Sequence, residues 1–477
     1  MLLWAAVPFG CSSATQETEP SSPTSQPTDD ESGEDAPAEA STKDGAVTRA
    51  CTDPLPAIEC STTSSPPTAI DSIDAFLKEN AVALRCASGS KTMAWNLQPL
   101  IDLYGDNKMF MLGEVHGTNE IGILSAKILT SLAEKNLVNT FGMELPMDYE
   151  ELIQTYVDTG SPSEDTVFDG FAENFFGRIL PKAARALKQR GVPLTVACVD
   201  YPQDPNVPIA AIQEVAKKLA AQKTTVLSTL PAEISYPPTA NELTQVDDYY
   251  TLLVGKKSNV CAELSADDCE HLYVMLNALW VSAKAGEPEG DSDEWFARRE
   301  TVIYFNMRQK MGASDRMYLH MGSFHTNKFD SSAGSLMARE YPLTKNKVFS
   351  VAPAYGNKSV IWYGEEEVLD AEPLSISRAL SDSPPSPLFV STTRPNAECQ
   401  GNPLGVELET DVTDSAGKRA EMYDGYIHYG VLTAETDPSK AKIELRAASS
   451  EHALNSPLAA YRAAVAAREQ AVLGAHR

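Results

Sequence analysis

The stretch KMFMLGEVHGTNE, at residues 108–120, decides the predicted fold. Its first part, KMFML, is a short apolar run typical of a strand that is buried on both faces. Gly113, Glu114 and His116 follow at once. From Thr118, the predicted N-cap, apolar residues recur at helical spacing. The stretch therefore predicts a strand that leads directly into a helix, with an acid and a histidine at the carboxyl end of the strand.

The same alternation of strand and helix continues along the chain. Further helices are predicted at 147–157 and 178–190, and further strands at 138–144, 192–200, 316–320, 347–353, 358–363 and 387–392. Such alternation predicts an α/β fold with a mostly parallel central sheet flanked by helices. A long helical insertion at about 207–312 is predicted to form a lid or wall over the site.

Acids and histidines stand at four of the predicted strand ends. They are Glu114 with His116, Glu144, Asp200, and His320 with His325. The carboxyl ends of parallel strands meet at one edge of the sheet, where the ligand crevice of such folds lies. We expect these side chains to converge there, with histidine as the base or acid and carboxylates orienting it. The amides of Gly117 and Thr118, at a helix start, are expected to stabilise an oxyanion.

Each of these residues also has a structural interpretation. Glu144 is equally suited to an ion pair, and Asp200, before Tyr-Pro, is slightly favoured as a turn residue. His271 lies in an amphipathic helix and is given no role, and neither is His428. The sequence contains no G-x-S-x-G, H-E-x-x-H, P-loop or GxGxxG motif, which disfavours the serine-hydrolase, zincin and nucleotide-binding classes.

The N-terminal sequence indicates an exported protein, and the charge limits its partners. The net charge is −27, of which residues 12–50 contribute −7 from nine acids and two basic residues, so nucleic acid and anionic membranes are disfavoured as partners. Residues 12–70 are predicted to be a disordered acidic Ser/Thr/Pro tether. Residues 1–11 resemble the end of a bacterial lipoprotein signal, with a possible lipid anchor at Cys11. The expected location is periplasmic or cell-surface as a lipoprotein, or secreted.

Cysteine spacing agrees with export. Cys51 with Cys60, and Cys261 with Cys269, each bracket a short loop, as disulfides of exported proteins often do. Cys198 lies in an apolar run and is predicted to be a packed thiol rather than a nucleophile. After residue 456 the chain is Ala-rich, and 456–477 are predicted to form a C-terminal helix.

Several motifs together resemble the erythromycin esterase-like family, within the wider Tiki/ChaN-like superfamily. They are LGEVHGTNE, GMELP, VPLTVACVDYP, RRETVIYFNM and MYLHMGSFHTNK, spread over about 105–395. The resemblance implies an α/β domain, taken as 71–455, with a water-activating site that hydrolyses esters without a covalent intermediate. It implies that Glu114 and His116 are the first Glu/His pair, that Glu144 is the second carboxylate, and that His325 or His320 is the late histidine.

The resemblance also covers supporting residues, with some departures. Arg299 and Asn306 match the family's Arg-Asp-x-x-Met-Ala-x-Asn, in which Glu300 replaces Asp and Ile303 replaces Met. Arg299, Ile303 and Asn306 share one helical face by spacing. Only Val115 separates the first Glu from its His, as in the Tiki/ChaN branch. The sequence therefore gives no indication of a macrolide substrate.

Three functions follow as hypotheses. The first is a hydrolase of an ester, lactone or amide that needs no cofactor, with His116 as base, Glu114 and Glu144 orienting, His325 assisting the leaving group, and Asp200 and His320 in support. The second is a Tiki-like peptidase in which Glu114, His116, Glu144 and His325 hold a divalent metal. The third is a ChaN-like lipoprotein that binds haem or another ligand. The expected partner is a small-molecule or peptide substrate, and the sequence makes no prediction of oligomeric state.

Overall fold

The computed structural model of this chain describes residues 81–88, 92–168, 176–285, 292–328, 331–362, 366–369, 375–380, 387–391 and 422–434. The predictions for residues 1–11, 12–70 and 456–477, and for Cys51 with Cys60, lie outside these ranges. Among the residues it describes, no helix is both long and apolar enough to span a bilayer.

The described chain contains twelve strands in chain order. They are β1 Val82–Ala83, β2 Arg85–Ser88, β3 Thr92–Trp95, β4 Met109–Glu114, β5 Thr140–Pro146, β6 Thr195–Asp200, β7 Met317–Gly322, β8 Val348–Ala354, β9 Ser359–Trp362, β10 Glu366–Leu369, β11 Leu388–Ser391 and β12 Gly425–His428. Eight of them form the central sheet, in the order β1-β11-β12-β8-β4-β7-β5-β6.

The α-helices surround this sheet. They are α1 Gln98–Tyr104, α2 Asn119–Glu134, α3 Glu150–Thr159, α4 Glu164–Val167, α5 Phe176–Gln189, α6 Asn206–Ala216, α7 Lys223–Ser228, α8 Ala240–Gly255, α9 Lys257–Cys261, α10 Ala266–Lys284, α11 Asp293–Gln309, α12 Ser323–Thr326, α13 Ala333–Arg339 and α14 Ser375–Leu380. A 3-10 turn at Met147–Tyr149 precedes α3.

The sheet is mostly parallel, as the sequence predicted. The six strands from β12 to β6 run parallel to one another, β11 runs antiparallel to them, and β1 pairs antiparallel with β11. The carboxyl ends of β4, β7, β5 and β6 therefore lie along one edge. The pairing of β5 with β6 shifts register between Met143 and Pro146, which is where Glu144 sits. Such irregularities bend a strand and change the direction of its side chains.

Side-chain alternation on β4 divides the core into two layers. Phe110 and Leu112 pack into the cluster that includes α2 and α5, whereas Met109 and Met111 pack into the opposite cluster with α11 and α13. Because successive strand residues point to opposite faces, Glu114 lies on the same side as Phe110 and Leu112. The burial of both faces explains why β4 is apolar throughout.

The helical insertion is confirmed as the segment from α6 to α11, and it has its own core. Aliphatic residues of α6, α8 and α10 pack there with Trp280 and Trp295. A disulfide joins Cys261 to Cys269, and Cys198 is buried and free, as predicted for a packed thiol. The other face of α11 packs on β6 and carries Arg299, Glu300 and Asn306. The insertion thus contributes side chains directly to the edge of the sheet.

Two of the predicted strands need correction. The strand predicted at 358–363 is β9, which pairs with β10 in a separate sheet and not with the central one. The strand predicted at 387–392 is β11, which runs antiparallel. β12 was not predicted at all, because a four-residue strand that contains a glycine and a histidine gives little periodicity. Thr118 is the N-cap of α2, but its hydroxyl donates to the Val115 carbonyl instead of capping an amide.

Candidate active site

Glu114 lies between two imidazoles at the carboxyl end of β4. Its Oε1 lies 2.7 Å from Nδ1 of His116, and its Oε2 lies 2.8 Å from Nε2 of His320. The parallel register explains the second contact, since Leu112 pairs with His320 and Glu114 pairs with Gly322 on β7. One carboxylate therefore orients both rings.

The two imidazoles also control the protonation of Glu114. Burial alone would raise the pKa of Glu114, but the neighbouring His320 and His116 outweigh burial and hold this pKa below its usual value. Burial alone would lower the pKa of His116, and here Glu114, followed by Glu144, outweighs burial and raises it. The carboxylate form of Glu114 and a basic His116 therefore stabilise each other.

His320 continues the hydrogen-bond network into the protein interior. Its Nδ1 lies 3.0 Å from Oγ of Ser125 on α2, and that Oγ lies 2.7 Å from the hydroxyl of Tyr318. His320, Ser125 and Tyr318 are all fully buried. Buried polar groups require partners of this kind, because an unpaired one costs about 1–3 kcal/mol. This network fixes His320, which in turn helps to fix Glu114.

Arg299 joins two other carboxylates from neighbouring strands. Its Nε and one terminal nitrogen donate to the two oxygens of Asp200, at 2.9 and 2.8 Å. The same terminal nitrogen lies 2.5 Å from Oε1 of Glu144. The guanidinium also lies 5.6 Å from the ring of Tyr201 and 5.5 Å from that of Trp295. Asp200 is thus an ion-pair partner of the site, and the turn interpretation favoured from the sequence is incomplete.

Burial and neighbouring charges together determine the ionisation of Glu144 and Arg299. Burial would raise the pKa of Glu144, but His325 and Arg299 outweigh it and hold the pKa well below its ordinary value. Burial would lower the pKa of Arg299, whereas Asp200 and Glu144 raise it well above its usual range. The second oxygen of Glu144 accepts a hydrogen bond from the Gly322 amide at 2.6 Å. Both oxygens of Glu144 are therefore engaged.

His325 lies between two carboxylates. Its Nε2 is 3.2 Å from Oε1 of Glu144, and its Nδ1 bonds to Oε1 of Glu300 on α11. Burial alone would lower the pKa of His325, but Glu300 and Glu144 outweigh burial and raise it to about 10. The other oxygen of Glu300 accepts from the Ala333 amide at 2.6 Å. His325 is thus an imidazolium at neutral pH, held on both sides.

Asn306 holds the end of β6. Its side-chain amide donates to the backbone carbonyls of Val199 and Asp200, at 3.1 and 3.2 Å. This contact docks α11 against the strand that carries Asp200. We therefore assign Asn306 a structural contribution to the site.

His116 differs from its neighbours in its access to solvent. Its side chain is 21% exposed, whereas those of Glu114, Glu144 and His325 are 4–5% exposed. Nε2 of His116 lies 4.0 Å from Oε2 of Glu144. A Cβ on Gly322 would approach both of these atoms to 3.3 Å, so glycine leaves the space between them open. A small molecule can therefore reach His116 more readily than the other site residues.

The oxyanion role of the Gly117 and Thr118 amides stays a prediction, and a distant segment of the chain lies against this helix start. Thr433 accepts a hydrogen bond from the Asn119 amide at 3.1 Å, and Thr118 forms an isolated β-bridge with Ala434. Thr118 is also buried. The chain at 433–434 thus covers this helix start. The sequence could not show it, because more than three hundred residues separate the two segments.

A metal ion fits these residues poorly. Glu114, His116 and Glu144 do place one possible ligand atom each within 4.8 Å of the others. However, both oxygens of Glu114 bind imidazoles, and Glu144 shares an oxygen with the guanidinium of Arg299. A divalent cation would have to displace these partners beside a fixed positive charge. Each oxygen of Glu114 and Glu144 already has a protein partner.

Comparisons with known proteins show the fold. No family model and no curated protein matches the sequence. A solved structure from Bacillus cereus is 14% identical, with 77% of this chain and 99% of that one covered and a TM-score of 0.50. A succinoglycan biosynthesis protein is 14% identical, with coverages of 78% and 99% and a TM-score of 0.50.

The solved structures also include an erythromycin esterase variant in its open conformation. It is 12% identical, with 72% of this chain and 95% of that one covered and a TM-score of 0.49. At identities of 12–14% these matches concern the fold alone.

The structure brings together every site residue named from the sequence, and adds others. Glu300 was noted only as a departure from a motif, yet it is the partner of His325. Ser125 and Tyr318 were not identified, because a serine on an apolar helix face and a tyrosine in a strand look like core residues. A signal for Ser125 was its position among Leu124, Ile128 and Leu129, where a hydroxyl needs a partner.

The ionisation of His325 predicts a pH dependence of stability. The folded-state pKa of about 10 exceeds the unfolded value near 6.5, so the stabilisation is complete below pH 6.5 and is lost as the pH rises towards 10. Relative to His325→Gln, the unfolding free energy of the wild type should fall by about 1.4 kcal/mol per pH unit across that window. Urea denaturation at pH 6, 7, 8 and 9 measures this. A pH-independent difference would contradict the charged state of His325.

Proposed function

We propose that this chain hydrolyses an ester, lactone or amide, with His116 as the base that activates water. The observation that carries the proposal is the pairing of Glu114 Oε1 with Nδ1 of His116, at 2.7 Å, on the most solvent-accessible of the site side chains. A carboxylate at Nδ1 favours the tautomer in which Nε2 accepts a proton. The raised pKa of His116 makes that nitrogen a stronger base.

The reaction can be written with these groups alone. Nε2 of His116 takes a proton from water as the water oxygen attacks the carbonyl carbon, which gives a tetrahedral intermediate and an imidazolium. The imidazolium then returns the proton to the leaving oxygen or nitrogen as the bond to carbon breaks. Glu114 stabilises the imidazolium through Nδ1, and the Glu144 carboxylate, 4.0 Å from Nε2, adds to this. No covalent bond to the protein is required.

Arg299, His325 and His320 position the two site carboxylates, Glu144 and Glu114. Arg299 holds it from the side of Asp200, and His325 holds it from the side of Glu300. Because His325 is charged and enclosed by two carboxylates, we assign it a positioning role in place of the leaving-group role expected from the sequence. His320 positions Glu114 in the same way.

Replacement of His116 tests the proposal directly. His116→Asn keeps a polar side chain but removes the base, so turnover should fall by about 10²–10⁴-fold with little change in the melting temperature. A panel of ethyl esters, γ- and δ-lactones and anilides, assayed by proton release or aniline absorbance, provides the measurement. His271→Asn is the matched control, because His271 lies on α10, outside the site, and that variant should keep wild-type rates. The proposal fails if wild type hydrolyses nothing on the panel or if His116→Asn hydrolyses at wild-type rates.

Replacement of Glu114 tests the origin of the basicity. Because the carboxylate raises the pKa of His116, Glu114→Gln should lower this pKa. The acid limb of the kcat/KM–pH profile should then move to lower pH while its plateau falls by about 10²-fold or more. A profile recorded between pH 4.5 and 9 measures both changes. If the acid limb of the profile does not move, the pKa that it reports belongs to a group other than His116.

A metal-dependent peptidase is the second candidate, since Glu114, His116 and Glu144 are grouped closely enough to share an ion. The main proposal expects no loss of activity after dialysis against EDTA and less than about 0.1 equivalent of bound Zn or Mn by plasma mass spectrometry. About one equivalent of metal, with activity lost on chelation and restored by that metal, would replace the main proposal by the metal-dependent one.

A further inference from the structure

An exposed aromatic ring lies directly beside the candidate active site. Phe324 is on α12, one residue before His325 and two after Gly322, where an added Cβ would lie 3.3 Å from Nε2 of His116. Its ring centroid lies 5.6 Å from that of His325, nearly perpendicular to it. Phe324 is nevertheless 42% exposed. Part of this large apolar side chain is therefore exposed to solvent and does not pack against the core.

Other aromatic rings support Phe324 from the helical insertion. Phe296 on α11 lies 6.2 Å from Phe324, and Trp295 lies 5.3 Å from Phe296. Trp295 also contacts Tyr201, 5.5 Å away, which follows β6. These rings form a continuous row from the exposed Phe324 to the buried side of Arg299. A row of this kind holds Phe324 in place, so that a ligand need not order it.

Charge at the site favours an uncharged ligand on this ring. The carboxylates of Glu114, Glu144 and Glu300 lie close by, and the chain as a whole carries −27. The guanidinium of Arg299 is taken up by two of the site carboxylates, and Lys328 pairs with Asp424. The four site carboxylates, Asp200 included, outnumber the two cations among them, Arg299 and His325, so an anionic substituent would meet net repulsion.

We propose that Phe324, backed by Phe296, is a specificity residue that binds an uncharged aryl or bulky alkyl group next to the scissile carbonyl. This inference rests on the proposed hydrolysis at His116. The alternative is that Phe324 only packs against its neighbours. A packing residue would change the turnover of all substrates equally, through protein stability alone. The substrate class that results is a neutral, apolar ester or amide.

Three ethyl esters of similar reactivity test the inference: ethyl acetate, ethyl phenylacetate and monoethyl succinate. Wild type should have the highest kcat/KM for ethyl phenylacetate and the lowest for the anionic succinate. Phe324→Ala should lower the phenylacetate-to-acetate ratio of kcat/KM by about tenfold, mainly through KM. Phe324→Leu should restore part of that ratio. Val254→Ala on α8, an equally exposed apolar position at 46%, should leave the ratio unchanged.

Equilibrium binding separates this inference from the proposed hydrolysis. Binding of ethyl phenylacetate to His116→Asn is measured by ligand-observed NMR, with and without Phe324→Ala. Binding that Phe324→Ala weakens about tenfold, together with a wild type that hydrolyses none of the three esters, would keep the aromatic subsite and overturn the hydrolase. Turnover in which Phe324→Ala changes all three esters equally would overturn the subsite and keep the hydrolase.

Discussion

The structure depends on the burial of several carboxylates at one edge of a parallel sheet. Glu114, Glu144, Asp200 and Glu300 are each at most 7% exposed. An unpaired buried carboxylate costs several kcal/mol, so the fold is stable only if each finds a cation or a donor. Arg299, three histidines and three backbone amides supply these partners. The protonation state of each site residue thus depends on which cation contacts which carboxylate.

The fold meets this requirement with consecutive residues of one helix. Arg299 and Glu300 are adjacent on α11, yet Arg299 binds Glu144 and Asp200 while Glu300 binds His325. Trp295 and Phe296, one turn earlier, belong to the aromatic row beside the site. Because α11 is also part of the insertion core through Trp295 and Val302, the packing of the insertion fixes the ion pairs. The insertion therefore holds the site residues in position.

Much of this arrangement could be predicted from the sequence, for a physical reason. Parallel strands that are buried on both faces appear in the sequence as clear apolar runs. Right-handed crossovers place the carboxyl ends of these strands at one edge of the sheet. The convergence of the residues at those ends therefore follows from local signals; they are Glu114, Glu144, Asp200 and His320. What could not be predicted depends on contacts between distant segments. The pairing of Asn119 with Thr433, the position of β12, and the choice between His320 and His325 as partner of Glu114 are examples.

The same electrostatics decide which histidine can change its charge during a reaction. His325 has a carboxylate at each ring nitrogen, so a proton once bound stays bound at neutral pH. His320 is fully buried between Glu114 and the Ser125 hydroxyl, and its ring has no surface exposed to solvent. His116 has one carboxylate at hydrogen-bonding distance, a second at 4.0 Å, and a side chain that meets solvent. Among the three, only His116 combines raised basicity with access, and this leaves the other two to hold the carboxylates that make it basic.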